Sequence, residues 1–277
     1  MPGVIRAARR PTGWIPPGPL PLGPSSGAAP ADDEDVCFLT GHWQLFQKQR
    51  GHRFSLDDLV TAWFAADELS APPARCLDLG CGIGSVLLMI GWRFQSARCV
   101  GIEAQPESVA LARKSIAWNG VGDRVELLQG DFRKVTPEGT FELVTGTPPY
   151  FPLGTGTLSD RAQAAPCRFE HRGGVEAYCT AAARVLADAG AFVFCESTGQ
   201  RPRVEAALAA SGLHLGRSLD VIPREGKPPL LTVFAAQRAK CVAQARALVV
   251  RDLWGQWTPQ FLEVRVAMGM PPAPDSR

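Results

Sequence analysis

Between residues 75 and 235 short apolar runs alternate with longer amphipathic stretches. Arg75–Leu79 is apolar apart from its ends and Asp78, and it stops at Gly80-Cys81-Gly82-Ile83-Gly84. The pattern predicts a strand there and a helix over Ser85–Phe94. Arg98–Ile102 follows as a strand and Pro106–Trp118 as a helix closed by Asn119-Gly120. Arg124–Leu128, Phe141–Thr145 and Ala191–Cys195 continue the strand series, with helices over Gly174–Leu186 and Arg203–Ala210. His214–Val221 and Leu230–Ala235 complete it, joined across Pro223–Pro229 as a hairpin expected at the sheet edge. Strands separated by helices pair in parallel through crossovers, so the expectation is a three-layer α/β sandwich around a mostly parallel, seven-stranded sheet. Runs that are apolar at successive positions fit strands covered on both faces.

Four segments follow from these shifts in pattern. Residues 1–36 hold eight prolines and five glycines within the first thirty positions, then an acidic run at Asp32–Asp35, and are expected to be a disordered tail. The tail is basic at its start, at Arg6, Arg9 and Arg10, which is compatible with an organellar transit peptide; it is poor in Ser and Thr and has no clean amphipathic helix. Residues 37–72 are expected as a helical segment or lid, 73–238 as the main domain and 239–277 as a C-terminal extension.

Composition narrows the class. The chain has 277 residues, 29 Lys and Arg against 27 Asp and Glu, and 45% hydrophobic residues. A net charge of +2 gives no global cationic field, so any nucleic-acid face must be built from locally focused cations. Arg161, Arg168, Arg172, Arg201, Arg203, Arg224 and Lys227 are the candidates. No apolar run is long enough to span a bilayer, so no membrane partner is expected. None of the eight cysteines forms a CxxC pair and several sit inside apolar runs, which reads as buried thiols in a reducing, cytoplasmic compartment. The four histidines lack metal-ligand spacing, and no metal is expected.

The chemistry concentrates at strand ends. Glycines at 80, 82 and 84 let the chain turn tightly into a helix start with free N–H groups. The spacing differs from the pyrophosphate-binding G-x-G-x-x-G, and Asp78 just before it would repel a diphosphate; that acid suits a cationic or zwitterionic ligand. Glu103, closing the next strand, is placed to accept from ribose hydroxyls. Asp131 in Gly130-Asp131-Phe132 is placed to accept from an adenine amine. At the fourth strand end stands Thr147-Pro148-Pro149-Tyr150. Two prolines fix φ and remove N–H donors, leaving rigid carbonyls beside the flat face of Tyr150, which suits a planar group carrying an NH2.

The glycine loop and the three acids in this order resemble the class I S-adenosylmethionine-dependent methyltransferases over roughly residues 73–236. The resemblance implies the Rossmann-like sheet of that class and S-adenosylmethionine as cofactor. Asp78 and Gly80 would line its methionine part, Glu103 its ribose and Asp131 its adenine, with Gly82, Gly84 and Thr147 also in the cofactor site. Thr147-Pro148-Pro149-Tyr150 is similar to the Asn/Asp/Ser-Pro-Pro-Tyr/Phe signature of amino-group methyltransferases, and departs from it in carrying Thr147. Those enzymes act on adenine N6, cytosine N4, guanine N2 or a glutamine amide. Gly51–Ala62, Arg168-Phe169-Glu170 and Leu248–Asp252 with Thr258-Pro259 and Phe261 resemble the bacterial valine tRNA N6-adenine methyltransferase family. By that resemblance the acceptor is adenine N6 in tRNA. A protein glutamine, a small metabolite, or a cofactor-binding module without catalysis are the alternatives.

Overall fold

A computed structural model describes residues 4–5, 11–149 and 173–272. Its centre is an eight-stranded sheet. The strands are β4 (Arg75–Leu79), β5 (Arg98–Glu103), β6 (Val125–Gln129), β7 (Phe141–Gly146), β8 (Leu186–Ser197), β9 (His214–Ile222), β10 (Leu231–Gln237) and β11 (Gln244–Val249), in the order β11-β9-β10-β8-β7-β4-β5-β6. All run parallel except β10, which is antiparallel to both neighbours. Helices α1 (Leu56–Glu68), α2 (Ser85–Arg93) and α3 (Pro106–Asn119) precede β4, β5 and β6; α4 (Val175–Val185) and α5 (Arg201–Ala210) precede β8 and β9, and α6 (Pro259–Ala267) follows β11.

Side-chain alternation along each strand splits the core in two. Val193 and Cys195 join the cluster that contains Leu87, Leu88 and Phe64, while Phe192 and Phe194 point the other way, towards Tyr178 and Val204. Phe192 and Phe194 of β8 and Phe234 of the adjacent β10 stack in a row, with centroids 4.5 and 5.5 Å apart. Every strand in the middle of the sheet is therefore covered on both faces, as its unbroken apolar run requires.

Three expectations are corrected. The β9–β10 hairpin is not the sheet edge, because β11 from the C-terminal extension pairs in parallel outside β9 and covers its open backbone groups. The sheet thus has eight strands, not seven. Residues 37–72 are not wholly helical: β2 (Glu34–Thr40) and β3 (Trp43–Lys48) form a hairpin that docks on α3, and only α1 is a helix. The docking is polar. Ser115 Oγ accepts from Phe46 N at 2.9 Å, and Asn119 both accepts from Gln44 N (3.0 Å) and donates to Gln44 O (2.8 Å). β1 (Val4–Ile5) adds in parallel to β2. Finally, residues 11–33, expected as part of a disordered tail, lie along the domain: Leu22 sits against Gly120 and Gly18 against the Trp92 indole. The tail's glycines lie against tryptophans carried by α2 and α3, Gly18 on Trp92 and Gly23 beside Trp118, while Ile15, Leu20 and Leu22 stay exposed. Local composition does not reveal this docking.

Candidate active site

The order of strands places the site. After β4 the chain builds outward through β5 and β6, then returns to lay β7 on the other side of β4. The crevice between β4 and β7 is where the winding reverses, and open α/β sheets bind ligands there, outside the carboxyl ends of the strands. Leu79 pairs with Gly146 in register, so the glycine loop and Thr147-Pro148-Pro149 leave the sheet side by side. Pro148 is buried, while Thr147 and Pro149 are half-buried. Tyr150 and residues 151–172, with Arg161, Arg168, Arg172 and Cys167, lie outside the described residues.

Gly80, Gly82 and Gly84 all have positive φ (61°, 55° and 86°). A Cβ on Gly80 would strike the Tyr178 hydroxyl, whereas one on Gly82 would meet nothing within 4 Å. The loop is tied to β5 by two backbone contacts: Cys81 N donates to Ile102 O (3.0 Å) and Gly82 N to Glu103 Oε2 (3.0 Å). Glu103 Oε1 accepts from Gln105 N at 2.6 Å. Both oxygens are thus fixed by N–H donors, and each keeps a further lone pair for a hydroxyl.

Asp78 is 3% exposed. Its Oδ1 accepts from Thr145 Oγ1 across the β4–β7 pair (2.9 Å), and its Oδ2 is buried without a hydrogen-bonding partner. Burial pushes its carboxyl up to about 7, Glu103 adds to the rise, and the Thr145 hydroxyl opposes it. Asp58, from α1, is a neighbouring buried acid that the sequence did not single out. Its Oδ1 accepts from Ser85 Oγ (2.9 Å) at the start of α2, and its Oδ2 from Ser55 N (2.8 Å). Burial and the charges of Asp57 and Asp78 raise it as well. The S-x-x-D spacing of Ser55 and Asp58, a helix-start signature, was the available signal.

Asp131 sits apart from these acids, at the loop after β6. Arg133 holds it through Nε (2.9 and 3.0 Å) and keeps its carboxyl below the usual range. Beneath the loop, Phe132 packs on Tyr178 with ring centroids 4.5 Å apart. Of the candidate phosphate-binding cations, Arg201 is paired with Asp220 (2.7 Å) and Arg203 with Glu176 (2.6 Å). Arg224 and Lys227 form no ion pair with a described residue. Among the described residues no group of three or more His, Cys, Asp or Glu is arranged to hold a metal ion, and no helix is long and apolar enough to cross a membrane.

Three buried carboxylates in one crevice, one with an orphaned oxygen, call for a cation. S-adenosylmethionine brings an ammonium group and a sulfonium, and its ribose meets the requirement of Glu103. The open space over Gly82, beside that carboxylate, leaves room for it. The donor set therefore fits this cofactor.

Comparison with known proteins agrees. Residues 76–152 match the model of a methyltransferase domain family. A tRNA1(Val) (adenine(37)-N6)-methyltransferase of Vibrio campbellii is 26% identical over 184 residues, covering 66% of this chain and 76% of the relative. A release factor glutamine methyltransferase of Caulobacter vibrioides is 34% identical over 143 residues, covering 49% and 50%. Among solved structures, one described as a predicted O-methyltransferase from Agrobacterium tumefaciens superposes with a TM-score of 0.58 at 18% identity, over 76% of this chain and 97% of the other. At that identity the structural likeness speaks for the fold alone.

Proposed function

From the premise that the chain is an S-adenosylmethionine-dependent methyltransferase, we propose that its acceptor is an exocyclic amino group, adenine N6 in a tRNA. The observation that carries this reading is the position of Thr147-Pro148-Pro149 at the carboxyl end of β7, paired in register with the strand that leads into the glycine loop. The name borne by the Vibrio relative supports the base and the RNA. In this reading Asp78 receives the cofactor's ammonium, Glu103 its ribose hydroxyls and Asp131 its adenine.

S-adenosylmethionine supplies an electrophilic methyl group when bound; the chain's part is to present the nucleophile. An exocyclic amine is weakly nucleophilic because its lone pair is delocalised into the ring. A hydrogen bond from the NH2 to the Pro148 carbonyl favours the pyramidal nitrogen and aims its lone pair. Tyr150 supplies the flat face for the ring, and the base is splayed from its stack to reach it. The Thr147 hydroxyl reaches less far than an Asn amide and accepts more weakly from the second N–H.

The test is transfer of labelled methyl to total RNA. Label in tRNA-sized, nuclease-sensitive material as N6-methyladenosine is expected. Tyr150→Ala lowers it at least tenfold, a base-stacking contact alone accounting for that much. Pro148→Ala, which keeps the carbonyl but frees the φ that aims it, lowers it less. Thr147→Asn raises kcat about tenfold, the effect of ~1.4 kcal/mol at the transition state. The likeness to a glutamine methyltransferase supports a second reading, a protein amide acceptor. Label in protein and none in RNA would replace the first reading with it.

A further inference from the structure

Two loops at the far end of the sheet carry groups that the methyl-transfer site does not use. One joins β9 to β10 (residues 223–230) and the other joins β11 to α6 (residues 250–258). They are held together: Glu225 N donates to Arg251 O (2.8 Å) and Val250 N to Ile222 O (2.8 Å). The second loop is a preformed tip. Asp252 Oδ1 accepts from Trp254 N (3.0 Å) and Gln256 N (2.8 Å), Gly255 N donates to Asp252 O (3.1 Å), and Arg251 bridges to Trp257.

That rigid tip holds Trp254 81% exposed, with Leu253 (59%) beside it and Leu230 (61%) on the companion loop. Ordering a large indole outward has no internal reward, since a buried aromatic is worth far more than an exposed one. Four cations belong to these two loops and the adjoining α6. The Arg251 and Arg265 guanidiniums lie 5.8 and 3.8 Å from the Trp257 ring centroid, and Arg224 approaches Gly255. Lys227 is exposed on the same loop as Arg224. None of the four is ion-paired with a described residue, although Arg265 is half-buried. Burial, and after it the nearby charge of Arg251, lowers its pKa to about 10. The acids at hand do not neutralise these cations: Asp252 caps its own turn, and Glu225 and Glu263 are exposed and pair with none of the four.

Strand directions put this cluster on the catalytic edge. β11 is parallel to β9, β9 and β8 are both antiparallel to β10, and β8 is parallel to β7. The carboxyl ends of β9 and β11 therefore face the same way as the end of β7 at Thr147. β9 is three strands from β7 and β11, which leads into the Trp254 loop, is four, about 14 and 19 Å at ~4.8 Å per strand. A chain of a few nucleotides spans either distance.

We infer that these two loops are an RNA-docking surface, on which Trp254 stacks an unpaired base near the acceptor nucleotide while Arg224, Lys227 and Arg251 hold the flanking phosphates. An exposed aromatic on a loop pair whose cations have no carboxylate partner among the described residues is a combination suited to single-stranded nucleic acid. The inference rests on the RNA reading above and adds to it the face that the RNA covers.

The experiment measures binding of total tRNA and methyl transfer to it, for wild type, Trp254→Ala and Arg224→Ala/Lys227→Ala, with S-adenosylmethionine affinity read separately by calorimetry. Trp254→Ala is expected to weaken tRNA binding and raise its KM about tenfold, the loss of one stacked base. The double variant is expected to flatten the slope of log K against log salt by about 1.4, for two phosphate contacts on single-stranded RNA. Cofactor affinity stays at the wild-type value in both. If wild type methylates tRNA and the variants bind it within twofold of wild type, the docking surface is wrong and the RNA reading stands. Wild type that neither binds nor methylates RNA overturns both. A dimer that dissociates in Trp254→Ala, with tRNA affinity unchanged, would assign the face to a second copy instead.

Discussion

Asp78→Asn is expected to cost S-adenosylmethionine affinity about 100-fold and yet to raise the melting temperature of the ligand-free protein at pH 8. Both effects come from one buried charge. The side chain is 3% exposed and its Oδ2 has no partner, so the empty site bears the cost of desolvating a carboxylate. Its pKa stands at about 7 in the fold against an ordinary value of 3.8. Between those values the folded state holds the proton that the unfolded state has released. Stability therefore falls as pH rises from about 4 to about 7, and the full penalty is present above that. At ~1.4 kcal/mol per pKa unit the penalty is on the order of several kcal/mol. The amide removes it, which for a chain of this size corresponds to a rise of several degrees. At pH 5 wild-type Asp78 is already largely protonated, so the gain shrinks.

Binding follows the opposite sign. An ammonium group needs the carboxylate, and a charge-assisted hydrogen bond in a dry crevice is worth ~2–3 kcal/mol, hence the loss of two orders of magnitude. For the same reason wild-type affinity for S-adenosylmethionine should fall as pH drops below about 7, by up to tenfold per unit. Asp58 and Glu103 each repel the charge on Asp78, and a bound cation relieves that repulsion too. Thermal melts and calorimetry at pH 8 and pH 5.5 check both signs. An asparagine variant that binds the cofactor normally, or that melts lower at pH 8, would remove Asp78 from this role.

A comparison of two glycines gives the second large effect. Gly80→Ala and Gly82→Ala both force a side chain into the left-handed region, at φ of 61° and 55°, with a strain of ~1–2 kcal/mol. Only at Gly80 does the new methyl collide with the protein, at the hydroxyl of Tyr178. That ring is 5% exposed and wedged against Phe132, so it has nowhere to retreat. Overpacking adds a further ~1–3 kcal/mol, and Gly80→Ala should melt several degrees below Gly82→Ala. At Gly82 the methyl enters the open space beside Glu103, the place proposed for the cofactor. Both variants should therefore lose at least tenfold in S-adenosylmethionine affinity, equivalent to ~1.4 kcal/mol, while differing in melting temperature. Equal melting temperatures, or a Gly82 variant with wild-type affinity, would contradict the geometry.

The sequence by itself determined the sheet from β4 to β10, because parallel strands covered on both faces are written as short unbroken apolar runs. It also lined up the proposed site residues along one edge of that sheet. Glycines at 80, 82 and 84, an acid at each of the next strand ends and Pro148-Pro149 after β7 are local features, and the crossover rule lines them up without further information. Tertiary structure alone decided what partners those residues have. Thr145 reaches Asp78 only because β4 and β7, far apart in the chain, are neighbours. Asp58 belongs to the site only because α1 sets it against Ser85 at the start of α2. The β2–β3 hairpin escaped the hydrophobic pattern because α3 receives it with Ser115 and Asn119, residues that look solvent-facing in the sequence. Residues 11–33 look like a tail because the tryptophans their glycines lie against, Trp92 and Trp118, come from elsewhere in the chain. Arg201 and Lys227 are equivalent in the sequence, yet one is paired with Asp220 and the other is not. The period of side chains is a local property of the backbone, whereas burial, pairing and pKa belong to contacts between distant segments, and these exist only once the chain has folded.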